Sequence, residues 1–129
     1  MLPSDVQDVD LSTLDLICVM RDCGEAFGVN WDPGAAFMGG EDAPFPDGYA
    51  QLRPHVRHVH FKDVQKNPTT CEREVVVNGV IDWPGALQAL RDNRFDGWIS
   101  VATHRRPKVD STYRMLRRLQ AMVSETKSA

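Results

Sequence analysis

Asp32, His58, His60, Lys62 and His104 are the residues whose types and spacing could do chemistry together in this 129-residue chain. They sit at or near the ends of three apolar segments: 27–32 (FGVNWD), 56–63 (VRHVHFKD) and 98–104 (WISVATH). A carboxylate such as Asp32 can bind a divalent cation. Taken alone, an Asp-Pro-Gly after a strand is more usually turn chemistry. His58 and His60 lie two residues apart, so on a strand both project the same way. Imidazole is a common transition-metal ligand, and it is also an ordinary structural polar group. Lys62 continues the same face, where an ammonium could hold a hydroxyl or an oxyanion, or simply mark an exposed strand end. His104, with Arg105 and Arg106, could bind an anion above the strand ends or form a solvated loop. Asp63 points elsewhere, with the option of orienting a ligand from behind. Ser100 reads as packing, because no Gly-x-Ser-x-Gly elbow surrounds it. Ala102 occupies the same face of the third segment and offers no ligand atom.

The elements that must position these groups follow from the pattern. Alternation along a strand puts Val29, Trp31, Val59, Phe61, Ile99 and Val101 on one face and the polar set on the other. Ser12 caps a helix from about Thr13 to Cys23, stopped by Gly24; Leu14, Ile17, Cys18 and Arg21 form its stripe. Residues 33–46 read as a long Gly/Pro-rich loop, a type that is often functional, and 47–53 as a short helix ended by Pro54. After the second strand, VVVNGVI reads as a small hairpin turning at Asn78-Gly79. Asp82 caps a helix to about Arg91, with Pro84 in its first turn. Asp96-Gly97 turns the chain into the third strand. A last helix spans about Asp110 to Ser124, with Tyr113, Leu116, Leu119 and Met122 or Val123 on its apolar side and Arg114, Arg117 and Arg118 on its wet side. Strands alternating with helices imply a parallel sheet, whose ligands bind at the carboxyl ends of the strands. Asp32, His60 and Ala102 all fall there.

Bulk composition narrows the function classes. At 42% hydrophobic residues the chain should fold, as one domain over 1–129 with residues 1–10 as a loose arm. A formal charge of −3 argues against a nucleic-acid binder. No apolar run reaches membrane-spanning length, and the first ten residues lack the pattern of a secretory signal. Three cysteines, an odd and sparse set, suggest a reducing, cytoplasmic compartment. No phosphate loop or dinucleotide fingerprint is present.

Four stretches together, GVNWDPG (28–34), HVHFKDV (58–64), GVIDW (79–83) and FDGWISVATH (95–104), resemble the xylose-isomerase-like sugar phosphate isomerase/epimerase family. The resemblance runs from about Leu11 to Met122. It implies an α/β fold, the carboxyl-terminal portion of a (β/α)8 TIM barrel: about three parallel βα units, an extra N-terminal helix and a small hairpin insert. It also implies metal-dependent aldose–ketose isomerisation or epimerisation through an enediolate in the complete barrel. Asp32 and His60 map onto metal ligands, for Mn, Mg, Co or Zn, and His58, Lys62 and His104 onto substrate contacts. Two glutamate ligands complete the family's site. One would lie on a strand before Leu11; the other falls at Ala102, and a substrate-contacting histidine of the family falls at Ala35. The chain alone is therefore expected to be inactive, or to be a non-catalytic remnant with weak metal or sugar binding. The implied partners are a sugar or keto-sugar and either further copies of the chain or a complementing N-terminal fragment, with neither nucleic acid nor membrane.

Overall fold

The computed structural model describes residues 12–23, 28–102 and 106–126. The expectation for residues 1–10, and those for His104 and Arg105, lie outside the described residues.

Helix α1, Thr13–Cys23, starts in a reciprocal cap. Ser12 Oγ accepts the Asp15 N–H (3.2 Å), and Asp15 Oδ2 accepts the Ser12 N–H (3.0 Å). These bonds satisfy amides that a helix start leaves open. The buried stripe differs from the sequence reading. Leu16, Ile17 and Met20 pack on the core, whereas Leu14 is 68% exposed and Arg21 lies outward. The rotation is fixed by Thr13, which donates through its N–H to Glu41 Oε1 (2.7 Å) and through its hydroxyl to Glu41 Oε2 (2.8 Å).

Strand β1 is Val29–Trp31, β2 is Val56–Phe61 and β5 is Trp98–Val101, paired in parallel in the order β1-β2-β5. Val29, Trp31, Val59 and Phe61 are buried on one face, as the alternation requires. They pack in one core with Leu52 of α3 (Tyr49–Leu52), Trp83, Leu87 and Leu90 of α4 (Trp83–Asp92), and Met115 and Leu119 of α5 (Lys108–Glu125). Among the described residues the sheet does not close, and Trp98, at the start of β5, is 80% exposed.

Residues 33–46 are not the unbroken loop expected from their Gly and Pro content. Asp32 Oδ1 accepts the Ala35 N–H (2.8 Å) and caps a short helix, α2, Pro33–Met38; a helical turn follows at Pro44–Gly48. Proline at the first position of α2 supplies a preset φ and gives up an amide that has no helical partner.

The second strand ends at Phe61 rather than Asp63. Asp63–Lys66 forms β3 in a separate antiparallel pair with β4, Arg73–Val76. The hairpin therefore turns at 67–72, where Asn67 Oδ1 accepts the N–H of Thr69 and of Thr70. Asn78-Gly79, the turn read from the sequence, passes beside β3 instead. The Val80 N–H bonds Val64 O (2.8 Å), and a Cβ on Gly79 would lie 2.0 Å from that same oxygen. The glycine is needed for close backbone approach and does not form a hairpin tip.

On α5 the inward residues are Ser111, Met115 and Leu119, with Met122 against the core; Tyr113, Leu116 and Val123 face out. Arg118 is drawn inward, contrary to its assignment to the wet side. Its Nη1 bonds Asp63 Oδ2 (2.8 Å) and Val77 O (3.0 Å). Arg114 and Arg117 do stay on the exposed side, against Asp110 and Tyr113. Arg73 ties the hairpin to α2, donating to Phe37 O and Asp42 Oδ1 with its guanidinium over the Phe37 ring.

Candidate functional site

The polar face of the three-stranded sheet carries Asn30, His58, His60 and Ser100, with Asp32 and Lys62 immediately past the strand ends. Parallel register sets Asn30 beside His58 and His60 beside Ser100. His58 Nε2 lies 2.8 Å from Ser100 Oγ, so Ser100 does more than pack. The two imidazoles meet edge to face with centroids 5.3 Å apart.

Asp32 is the hub. Oδ1 holds the α2 cap, while Oδ2 faces Lys62 Nζ at 3.3 Å and His60 Nδ1 at 3.5 Å. Burial pushes the Asp32 carboxyl pKa up. The His60 bond, the Lys62 charge and the Ala35 amide together outweigh burial and hold it below the usual aspartate value. Burial and the neighbouring His60 push the His58 imidazole down.

Lys62 is only 8% exposed at its side chain. Its stem crosses Gly34, where a Cβ would come within 3.0 Å of Lys62 Cγ and Cδ. Its carbonyl accepts the Trp83 indole N–H (3.0 Å). Lys62 is therefore not an exposed strand end; its ammonium is held on a carboxylate.

The remaining expected positions are as follows. The Ala102 N–H bonds Phe61 O (3.0 Å), which carries the β2–β5 pairing to the level of Lys62 and leaves a methyl where a carboxylate was expected. Asp63 is 0% exposed and turned away from this face. It accepts from Val64 N, Ile81 N and Arg118, and orients none of the site's groups. The sequence reading put Asn30 on this face and gave it no role; its Nδ2 lies 3.3 Å from His60 Nε2, and its Oδ1 is buried with no partner among the described residues.

A family model described as xylose isomerase-like TIM barrel matches residues 6–122. The chain belongs to that family. Among solved structures, the crystal structure of a xylose isomerase domain protein from Planctomyces limnophilus superimposes with a TM-score of 0.74 at 18% identity. The match covers 89% of this chain and 43% of that one. The chain thus spans less than half the length of that relative, and the three parallel strands are part of a barrel. No curated protein matches it. Among the described residues, no helix is long and apolar enough to cross a membrane.

Whether these residues suit the divalent metal that such families often use is a question of free donor atoms. His60 Nε2 faces the Asn30 amide and His60 Nδ1 faces Asp32 Oδ2, so both ring nitrogens are already directed at side chains. Both Asp32 oxygens are already engaged. Among the described residues, no group of three His, Cys, Asp or Glu side chains could hold a metal ion. Catalytic zinc sites use three protein ligands. As it stands, this donor set does not fit the ion.

Proposed function

We propose that this chain is one part of a sugar isomerase or epimerase barrel and that it supplies the polyol-binding wall, not a complete catalytic centre. Family membership supports the sugar-processing reading. The observation that carries it is the row Ser100, His58, His60, Asn30, Asp32 and Lys62, gathered at the carboxyl end of parallel strands. Such a row sets groups able to donate and to accept hydrogen bonds side by side, and barrel enzymes bind their substrates at this end.

Isomerisation or epimerisation needs a group that takes a proton from carbon and returns it. A carboxylate at position 102 would serve, and Ala102 cannot. The metal-dependent step is therefore assigned to a completed barrel and not to these residues alone. The alternative, a non-catalytic remnant, is favoured specifically by Ala102 and by the Asp32–Lys62 pair.

Proton NMR with aldoses, keto-sugars and their phosphates in deuterated buffer tests the reading. The chain alone is expected to give no isomerisation and no carbon-bound deuterium, with manganese or without. A keto-sugar that binds should shift the ring signals of His58 and His60 and leave His55, at the amino end of β2, unmoved. Turnover by the chain alone would overturn the assignment of catalysis to a completed barrel. Uniform or absent shifts would overturn the polyol wall. Ala102→Glu mixed with the missing βα units separates the two readings: metal uptake supports the completed enzyme, and none supports the remnant.

A further inference from the structure

We infer that Lys62 is the resident cation of this site and that its ammonium, seated on Asp32, excludes a divalent metal from the Asp32–His60 pair. Three independent features place it there. Its Nζ lies 3.3 Å from Asp32 Oδ2 with the side chain almost wholly buried. Its stem runs over Gly34 in the first turn of α2, where an added Cβ would come within 3.0 Å of Lys62 Cγ and Cδ and press on the stem. Its carbonyl is pinned by the Trp83 indole. The lysine is thus built into the site from both sides and is not a surface chain that swings in.

Charge balance gives the same answer. Asp32 supplies one negative charge and Lys62 one positive charge. Ala102, level with Lys62 on the neighbouring strand, adds none. A divalent ion would bring two positive charges to a balanced pair and sit against a buried ammonium, a repulsion that low-dielectric surroundings strengthen. With a carboxylate at 102 the ammonium would have a second partner, and Asp32 could be released to other ligands. With alanine there, Asp32 is the carboxylate that Lys62 faces among the described residues. His60 adds to the exclusion, because its two ring nitrogens already face the side chains of Asn30 and Asp32.

The inference concerns the site as this chain by itself presents it, with Ala102 in place. It is tested on the whole chain by calorimetry and native mass spectrometry with Co(II), Zn(II) and Mn(II), and by the visible absorption of bound Co(II). Lys62→Met keeps the apolar stem against Gly34 and removes the charge. It is expected to bind one Co(II) about tenfold or more tightly than the native chain, since a neighbouring like charge is gone. Adding Asp32→Asn should return binding to the native level. Lys62→Gln, which keeps a polar end, is read in the same way if Lys62→Met does not fold, with circular dichroism as the check on folding. A native chain that binds Co(II) as tightly as the folded variants, or folded variants that bind no better than the native chain, would overturn the inference.

Discussion

Asp63→Ala is expected to cost about 3–5 kcal/mol of folding stability, the range for removing one partner of a buried ion pair. Asp63 is 0% exposed, and its carboxylate holds three donors: Val64 N (2.9 Å), Ile81 N (3.2 Å) and Arg118 Nη1 (2.8 Å). Truncation strips all three at once. The Arg118 guanidinium keeps its bond to Val77 O but loses its countercharge. Two backbone amides lose their acceptor, and burial makes each loss more costly. Domains of this size have about 5–15 kcal/mol in total, so the variant should sit near the edge of folding. Urea unfolding measures the effect; a loss below about 1 kcal/mol would show that water reaches the pair and that the burial is misjudged. Arg118→Met in the same background should restore part of the loss, because it removes the stranded charge.

Trp83→Ala is the second large effect, expected at about 3–5 kcal/mol, the usual range for truncating a fully buried aromatic. The Trp83 ring meets Phe61 edge to face at 4.7 Å and lies 6.1 Å from Trp31, joining α4 to two strands of the sheet. The loss is not confined to packing. The indole N–H is the donor to Lys62 O. Trp83→Phe should therefore cost about 1–3 kcal/mol for the unmet carbonyl while keeping most of the ring, and it should loosen Lys62 at the site. Thermal unfolding of the two variants separates packing from the hydrogen bond. Equal losses for alanine and phenylalanine would contradict the division made here.

What could be read from the chain and what could not divide along a physical line. Strand alternation depends only on neighbouring residues, so the two faces of β1, β2 and β5 were legible, and with them the gathering of Asp32, His58, His60 and Lys62. The Ser12 and Asp82 caps are local and were legible for the same reason. The helix faces of α1 and α5 were misread because distant partners decide them. Glu41 fixes Thr13 from 28 residues away, and Asp63 draws in Arg118 from 55 residues away. Those bonds rotate the helices, exposing Leu14, Tyr113 and Leu116 although their spacing looks like a core stripe. Asn78-Gly79 has the composition of a hairpin turn, yet the ladder pairs β3 with β4 and uses Gly79 for its lack of a side chain. At the site, the residue types showed that a carboxylate, two imidazoles and an ammonium would meet. They did not show that the carboxylate and the ammonium would take each other as partners, since that depends on the path of the Lys62 stem over Gly34.

The pairing of Asp32 with Lys62 across the ends of neighbouring strands is tested most directly by amine acylation of the native chain, mapped by mass spectrometry. Lys66, with 54% of its side chain exposed, serves as the internal reference. Lys62 is expected to be modified far more slowly than Lys66, and Asp32→Asn should speed its modification while leaving Lys66 unchanged. A Lys62 that reacts as fast as Lys66 in the native chain, or is equally slow with and without the Asp32 carboxylate, would contradict the pairing.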